Sequence, residues 1–175
     1  MHELRRRTVL AGTACFGLLG APAFGQGPSD SPAAAGSSAS TQQGFKRTPA
    51  PADAYVYIGW PNDGQVLHST HFKVWFGTRN FGVAPAGTNK PNTGHHHLLI
   101  DTALPPLDQP IPNDSHHLHF GLGQTETWVD LPPGTHTLQL LMGDADHIPH
   151  DPPVMSKKIT IYVRAPAENP GAEAH

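Results

Sequence analysis

The chain has 175 residues, 37% hydrophobic and 7% aromatic, with 18 glycines and 19 prolines, a composition that fits one domain of short strands and turns and disfavours a long-helix protein. Eleven basic against fourteen acidic side chains leave a formal charge of −3, so bulk charge gives no reason to expect nucleic acid as a partner. Thirteen histidines are far more than such a chain needs and direct attention to metal chemistry.

Residues 1–25 read as an export address. Arg5, Arg6 and Arg7 precede Thr8, Val9 and Leu10, an apolar run follows, and Ala21-Pro22-Ala23 supplies a small-residue exit, the layout of a signal peptide. Paired arginines before Thr-Val-Leu look like the twin-arginine type. The apolar run is interrupted by Gly12, Gly17, Gly20 and Pro22 and is shorter than the roughly 20 residues a spanning helix needs. The expectation is a periplasmic or secreted protein with no stable membrane insertion after signal removal. Cys15 lies inside this segment, so the mature chain would have no cysteine. Disulfides, thiolate zinc sites, iron–sulfur clusters and cysteine nucleophiles would then be excluded.

Residues 26–53 are Gly, Ser, Ala, Pro and Gln with few aliphatics, which predicts a flexible tether. Residues 165–175 predict a disordered tail, leaving 54–164 as the domain. Within it, runs rich in branched and aromatic residues begin near Tyr55, His71, His95, His116, Thr125, Thr135 and Lys157. Turn signals such as Pro61-Asn62-Asp63-Gly64 and Leu131-Pro132-Pro133-Gly134 separate them. No stretch sustains helical periodicity. The prediction is an all-β, immunoglobulin-like antiparallel β-sandwich of about seven strands.

Eleven of the thirteen histidines fall in this domain. Residues two apart on a strand share a face, about 6.5–7 Å apart along it, which suits two imidazoles gripping one ion. His95 with His97 and His117 with His119 form two such pairs, and His147 with His150 form a third in a loop. Because Asp101 follows in alternation with His95, His97 and Leu99, that face is expected to point to solvent; His117 and His119 are expected outward likewise. In an immunoglobulin-like topology the end of the sandwich that receives His95 and His97 also receives His119, Glu126, His147 and His150. The expected ligands are therefore His95, His97, His119, His147 and His150, with His117 next. Imidazoles without sulfur suit a divalent transition metal, Cu(II) or Zn(II), with Asp144, Asp146 and Asp151 able to add oxygen ligands or orient rings. His68, His71, His116 and His136 are expected to be ordinary hydrogen-bonded side chains, and for His96 a buried ring and a ligand are both open.

No nucleophile elbow surrounds a serine and no phosphate-binding glycine loop is present. Gly94 to Asp101 (GHHHLLID), His117 to Gly121 (HLHFG), Gln124-Thr125-Glu126 and His147-Ile148-Pro149-His150 together resemble the bacterial family catalogued as domain of unknown function 4399. The resemblance spans Tyr55 to Val163 and implies exported, mostly single-domain proteins, with no settled activity to carry over. The functional expectation is an exported metal-binding protein for buffering or delivery of copper or zinc. Two alternatives stand beside it: a metalloenzyme using the same residues with an open coordination position and Glu126 as base, and a cell-envelope interaction module with structural histidines. No protein partner is specified by the sequence.

Overall fold

The computed structural model describes residues 44–165. The expected signal peptide, with Cys15, lies outside these residues, as does nearly all of the expected tail. The described residues contain nine strands: β1 (Tyr55–Trp60), β2 (Val66–Leu67), β3 (His71–Arg79), β4 (Gly82–Val83), β5 (Thr93–Ile100), β6 (His117–His119), β7 (Glu126–Asp130), β8 (Gly134–Gly143) and β9 (Ile159–Val163). Among them no helix is long and apolar enough to cross a membrane.

Period-two alternation decides the first sheet, ordered β1-β3-β7. Val56, Phe72, Val74, Phe76 and Val129 turn inward, while Tyr57, Trp75 and Trp128 stay exposed, as expected of an antiparallel sheet with one wet face. The second sheet runs β2-β9-β8-β5-β4, with β6 also paired to β5. Leu98, Ile100, Leu138, Leu140, Met142 and Ile161 face the first sheet and close the main core. The all-β sandwich expected from the sequence is what forms. The seven expected strands are present, joined by the two-residue strands β2 and β4.

Two departures matter for function. First, β5 is buried on both faces: Leu99 and Leu141 form a second apolar cluster with Ile111 from the 101–116 connection, and Met155 packs against it. Secondly, residues 44–53, read as part of a flexible tether, are held on the domain. Phe45 N–H donates to the Asp108 carbonyl at 2.8 Å, Ala50 N–H donates to Asp151 and Asp151 N–H donates to Thr48. The Arg47 guanidinium donates to the carbonyls of Pro149 and His150 and pairs with Asp151. Composition missed this because the segment is fixed mainly by backbone and polar side-chain bonds, with only the small Ala50 packed against the core.

Candidate metal centre

Strand register places the first three rings. His97 on β5 lies directly opposite His119 on β6 and Leu141 on β8, and His95 lies opposite Gly143. His95, His97 and His119 therefore project from the same side of the sheet, away from the main core. Contrary to expectation, His95 and His97 do not face solvent; both are 0% exposed. The premise that Asp101 continues the strand fails. Asp101 follows the end of β5 with φ 53°, and its carboxylate turns to accept the Thr137 N–H and to bind His136. Leu99, the apolar residue in that alternation, reports the face correctly: it lies under the 101–116 connection.

The ligand nitrogens of His95, His97 and His119 lie within 4.8 Å of one another. His95 Nε2 and His97 Nε2 are 3.1 Å apart. Two nitrogens at that spacing, each about 2.05 Å from a shared ion, subtend about 100°, an ordinary angle between metal ligands. Nδ1 of His95, Nδ1 of His97 and Nε2 of His119 are buried with no hydrogen-bond partner, a costly arrangement for polar atoms. Two glycines make room for the rings. A Cβ on Gly121 would stand 2.4 Å from His119 Cε1 and 2.7 Å from its Nε2, and one on Gly143 would stand 3.0 Å from His97 Nε2 and 3.2 Å from His147 Cα. Alternation alone gave no sign of these two glycines, although each falls two residues or directly across from a histidine.

His147 reaches the same place from the β8–β9 connection. Its ring centre is 4.9 Å from that of His95, 4.8 Å from that of His119 and 6.0 Å from that of His97. Asp144 shapes the loop: its Oδ1 accepts the N–H groups of Asp146 and Ile148, and its Oδ2 accepts the Thr48 hydroxyl at 2.6 Å. His147 takes the left-handed conformation, φ 68°, unfavourable for a residue with a Cβ. His147 N–H donates to the Asp144 carbonyl, and Ile111 N–H donates to the His147 carbonyl, which holds the turn. Asp144 thus acts through the loop, orienting the ring rather than joining the ring group itself.

Burial and mutual repulsion favour the neutral form of His95, His97 and His119. Desolvation, then the His147 and His119 rings, pushes His95 down to about 4 against an opposing pull from Asp144. Desolvation, then His95, His119 and His147, pushes His97 down to about 2. His119 is lowered by desolvation and by His147. Neutral imidazole is the form that ligates a metal.

The other expected ligands stand apart. His150 is fully buried, but its ring packs on Phe81 at 4.9 Å and against Gly94. Gly94 shares the His96 side of β5, so His150 lies across the sheet from the three-ring face. The left-handed turn at His147 and the bridge from Pro149 to Gly143 send the two loop histidines to opposite sides. His117 lies on the His119 side of β6, where its Nδ1 binds Asp114 at 2.9 Å. His96 donates from Nδ1 to the Gln124 carbonyl and packs on Phe76, a buried structural ring, lowered to about 4 chiefly by desolvation. His116 donates to the Ile100 carbonyl, His71 binds Asp130 and stacks on Trp128, and His68 is exposed. Glu126 belongs to the other sheet, where it pairs with Lys73 at 2.8 Å; the base proposed for an enzymatic reading is not at the ring group.

Fold and site together define a largely antiparallel β-sandwich, with β2 and β4 pairing in parallel at the edges of the second sheet, and a covered polyhistidine face on that sheet. The family model described as Domain of unknown function (DUF4399) matches residues 74–164, and the chain belongs to that family. No curated protein sequence matches the chain. A solved structure titled "Structures of Clostridium thermocellum CbhA fibronectin(III)-like modules" is 11% identical, with a TM-score of 0.31, covering 63% of this chain and 95% of that one.

Proposed function

We propose that this protein is an exported metal-binding domain that holds one divalent transition ion, Zn(II) or Cu(II), on His95, His97 and His119, with His147 beside them, for buffering or delivery. The export part rests on Arg5–Arg7 and the apolar run after them. What carries the metal reading is that one nitrogen from each of three imidazoles lies within 4.8 Å of the other two. Surface histidines that merely decorate a sheet need no such convergence; His96 and His150 also keep buried unpartnered nitrogens, but neither belongs to the converging group.

The test is calorimetric titration of Zn(II) and Cu(II) into untagged mature protein. His97→Ala and His119→Ala should each weaken binding by roughly a hundredfold, since each removes a ligand. His71→Ala, on the exposed face of the other sheet, should bind as the parent does. Parent-like affinity in both ligand variants would overturn the reading. Metal analysis of protein isolated from its native compartment then identifies the ion carried.

A further inference from the structure

We infer that the site is a closed, four-imidazole tetrahedral centre in which His147 is the fourth ligand, and that this shape selects Zn(II). The inference rests on the metal-binding reading and adds to it the coordination number and the ion.

Where each ring turns one nitrogen to a shared ion, the separation of the ring centres reports the geometry; the nitrogens of His95, His97 and His119 already converge within 4.8 Å, and the His147 ring, outside that group, turns to join them. An imidazole nitrogen sits about 2.05 Å from zinc and about 1.15 Å from its own ring centre, so a tetrahedral ion holds all six pairs of ring centres about 5.2 Å apart. A square-planar ion needs four separations of about 4.5 Å and two of about 6.4 Å. Here five of the six lie between 4.8 and 5.1 Å, and the sixth, His97–His147, is 6.0 Å. That pattern is the tetrahedral one with a single edge opened. The 3.1 Å contact between His95 Nε2 and His97 Nε2 falls between the two geometries and decides nothing.

The surroundings resist rearrangement. Gly121 is packed so closely against the His119 ring that a Cβ would overlap it, and a Cβ on Gly143 would press on His97 and on the His147 backbone. The His147 loop is pinned from Asp144 and from Ile111. Flattening four rings into the tetragonal plane that Cu(II) prefers would require moving β5, β6 and that loop together. Zn(II) has no geometric preference of its own and accepts the shape offered. The ring group offers nitrogen and no thiolate, which disfavours Cu(I).

Cobalt(II) replacing zinc tests the geometry directly, because a four-coordinate tetrahedral Co(II) absorbs visible light several-fold more strongly than a five- or six-coordinate one. The parent protein should give the intense tetrahedral spectrum. His147→Ala should lose most of that intensity while still binding metal, and should shift the Cu(II)-over-Zn(II) preference toward copper by at least about tenfold. An intense spectrum unchanged in His147→Ala would remove His147 from the ligand set. A weak spectrum in the parent, with metal bound, would overturn the closed tetrahedral centre and leave the metal-binding proposal standing. Failure of the parent to bind Co(II), Zn(II) and Cu(II) at all would overturn both. The parent spectrum is decisive even if the variant does not fold.

Discussion

Each buried imidazole of the ring group carries a stability cost at its unpartnered nitrogen, since a polar nitrogen without a partner forfeits about 1–3 kcal/mol. His97 shows it most clearly: 0% exposed, its Nδ1 unpartnered, its only polar ring contact another histidine. Leucine is close to histidine in volume and has no nitrogen to orphan. Under chelator, His97→Leu should therefore raise the melting temperature by a few degrees, at about 4–8 °C per kcal/mol for a small domain, while abolishing the stabilisation that zinc gives the parent. A variant that melts lower in chelator would mean the nitrogen is satisfied and the orphan argument is wrong. Histidine at this position would then be explained by fold rather than by a ligand.

Strand β5 gathers three depressed imidazoles in consecutive positions, His95 and His96 at about 4 and His97 at about 2, with desolvation the first cause in each. The sign follows from linkage. These groups take up protons on unfolding between the ordinary histidine value near 6.5 and their lowered folded values, so the folded state is fully favoured above 6.5 and loses ground as pH falls toward 4. Each proton steepens the fall by up to about 1.36 kcal/mol per pH unit. His136 works the other way. Desolvation lowers it, but its bonds to Asp101 and to the Pro132 carbonyl outweigh that and raise it overall, so its contribution is greatest below 6.5 and fades as pH rises through its raised value. Melting curves of the metal-free domain should drop steeply between pH 6.5 and 4, with a shallower drop in His97→Leu. A flat profile would contradict the burial of this strand. The sequence made β5 and its partners legible because alternation, branched residues and Gly/Pro turns mark strands locally. It left the burial of β5 unread because the cover comes from the Pro-rich 101–116 connection, where Ile111 alone supplies the apolar anchor. Asp101 misled for a related reason: a residue just past a strand end in a left-handed conformation no longer reports which way the strand faces. His147 was legible from loop placement, whereas the diversion of His150 depended on one backbone angle that spacing does not reveal.

At the scale of the molecule, the four rings are drawn from regions far apart in sequence, β5, β6 and the 144–151 loop, and a fourth region holds the last of these in place. The segment 44–53 straps that loop. Thr48 Oγ1 binds the same Asp144 carboxylate that organises the turn, while Arg47 binds the carbonyls of Pro149 and His150 and the carboxylate of Asp151. Ala50 of this segment packs against the main core, but Arg47 and Thr48 do not, so the strap can be loosened at those two residues without touching the packing between the sheets. Its effect should fall on the lifetime of the bound ion: a loop that opens more often releases its ligand more often, and groups that orient ligands without touching the metal typically change affinity by about 10–100-fold. Arg47→Ala combined with Thr48→Val should speed zinc release to a competing chelator by roughly tenfold and raise amide exchange across 144–151, with exchange in β3 and β8 unchanged. Release at the parental rate, with the loop amides demonstrably exposed, would show that His147 is held by the β-sheet and Ile111 alone and that the N-terminal strap serves only to cover the loop.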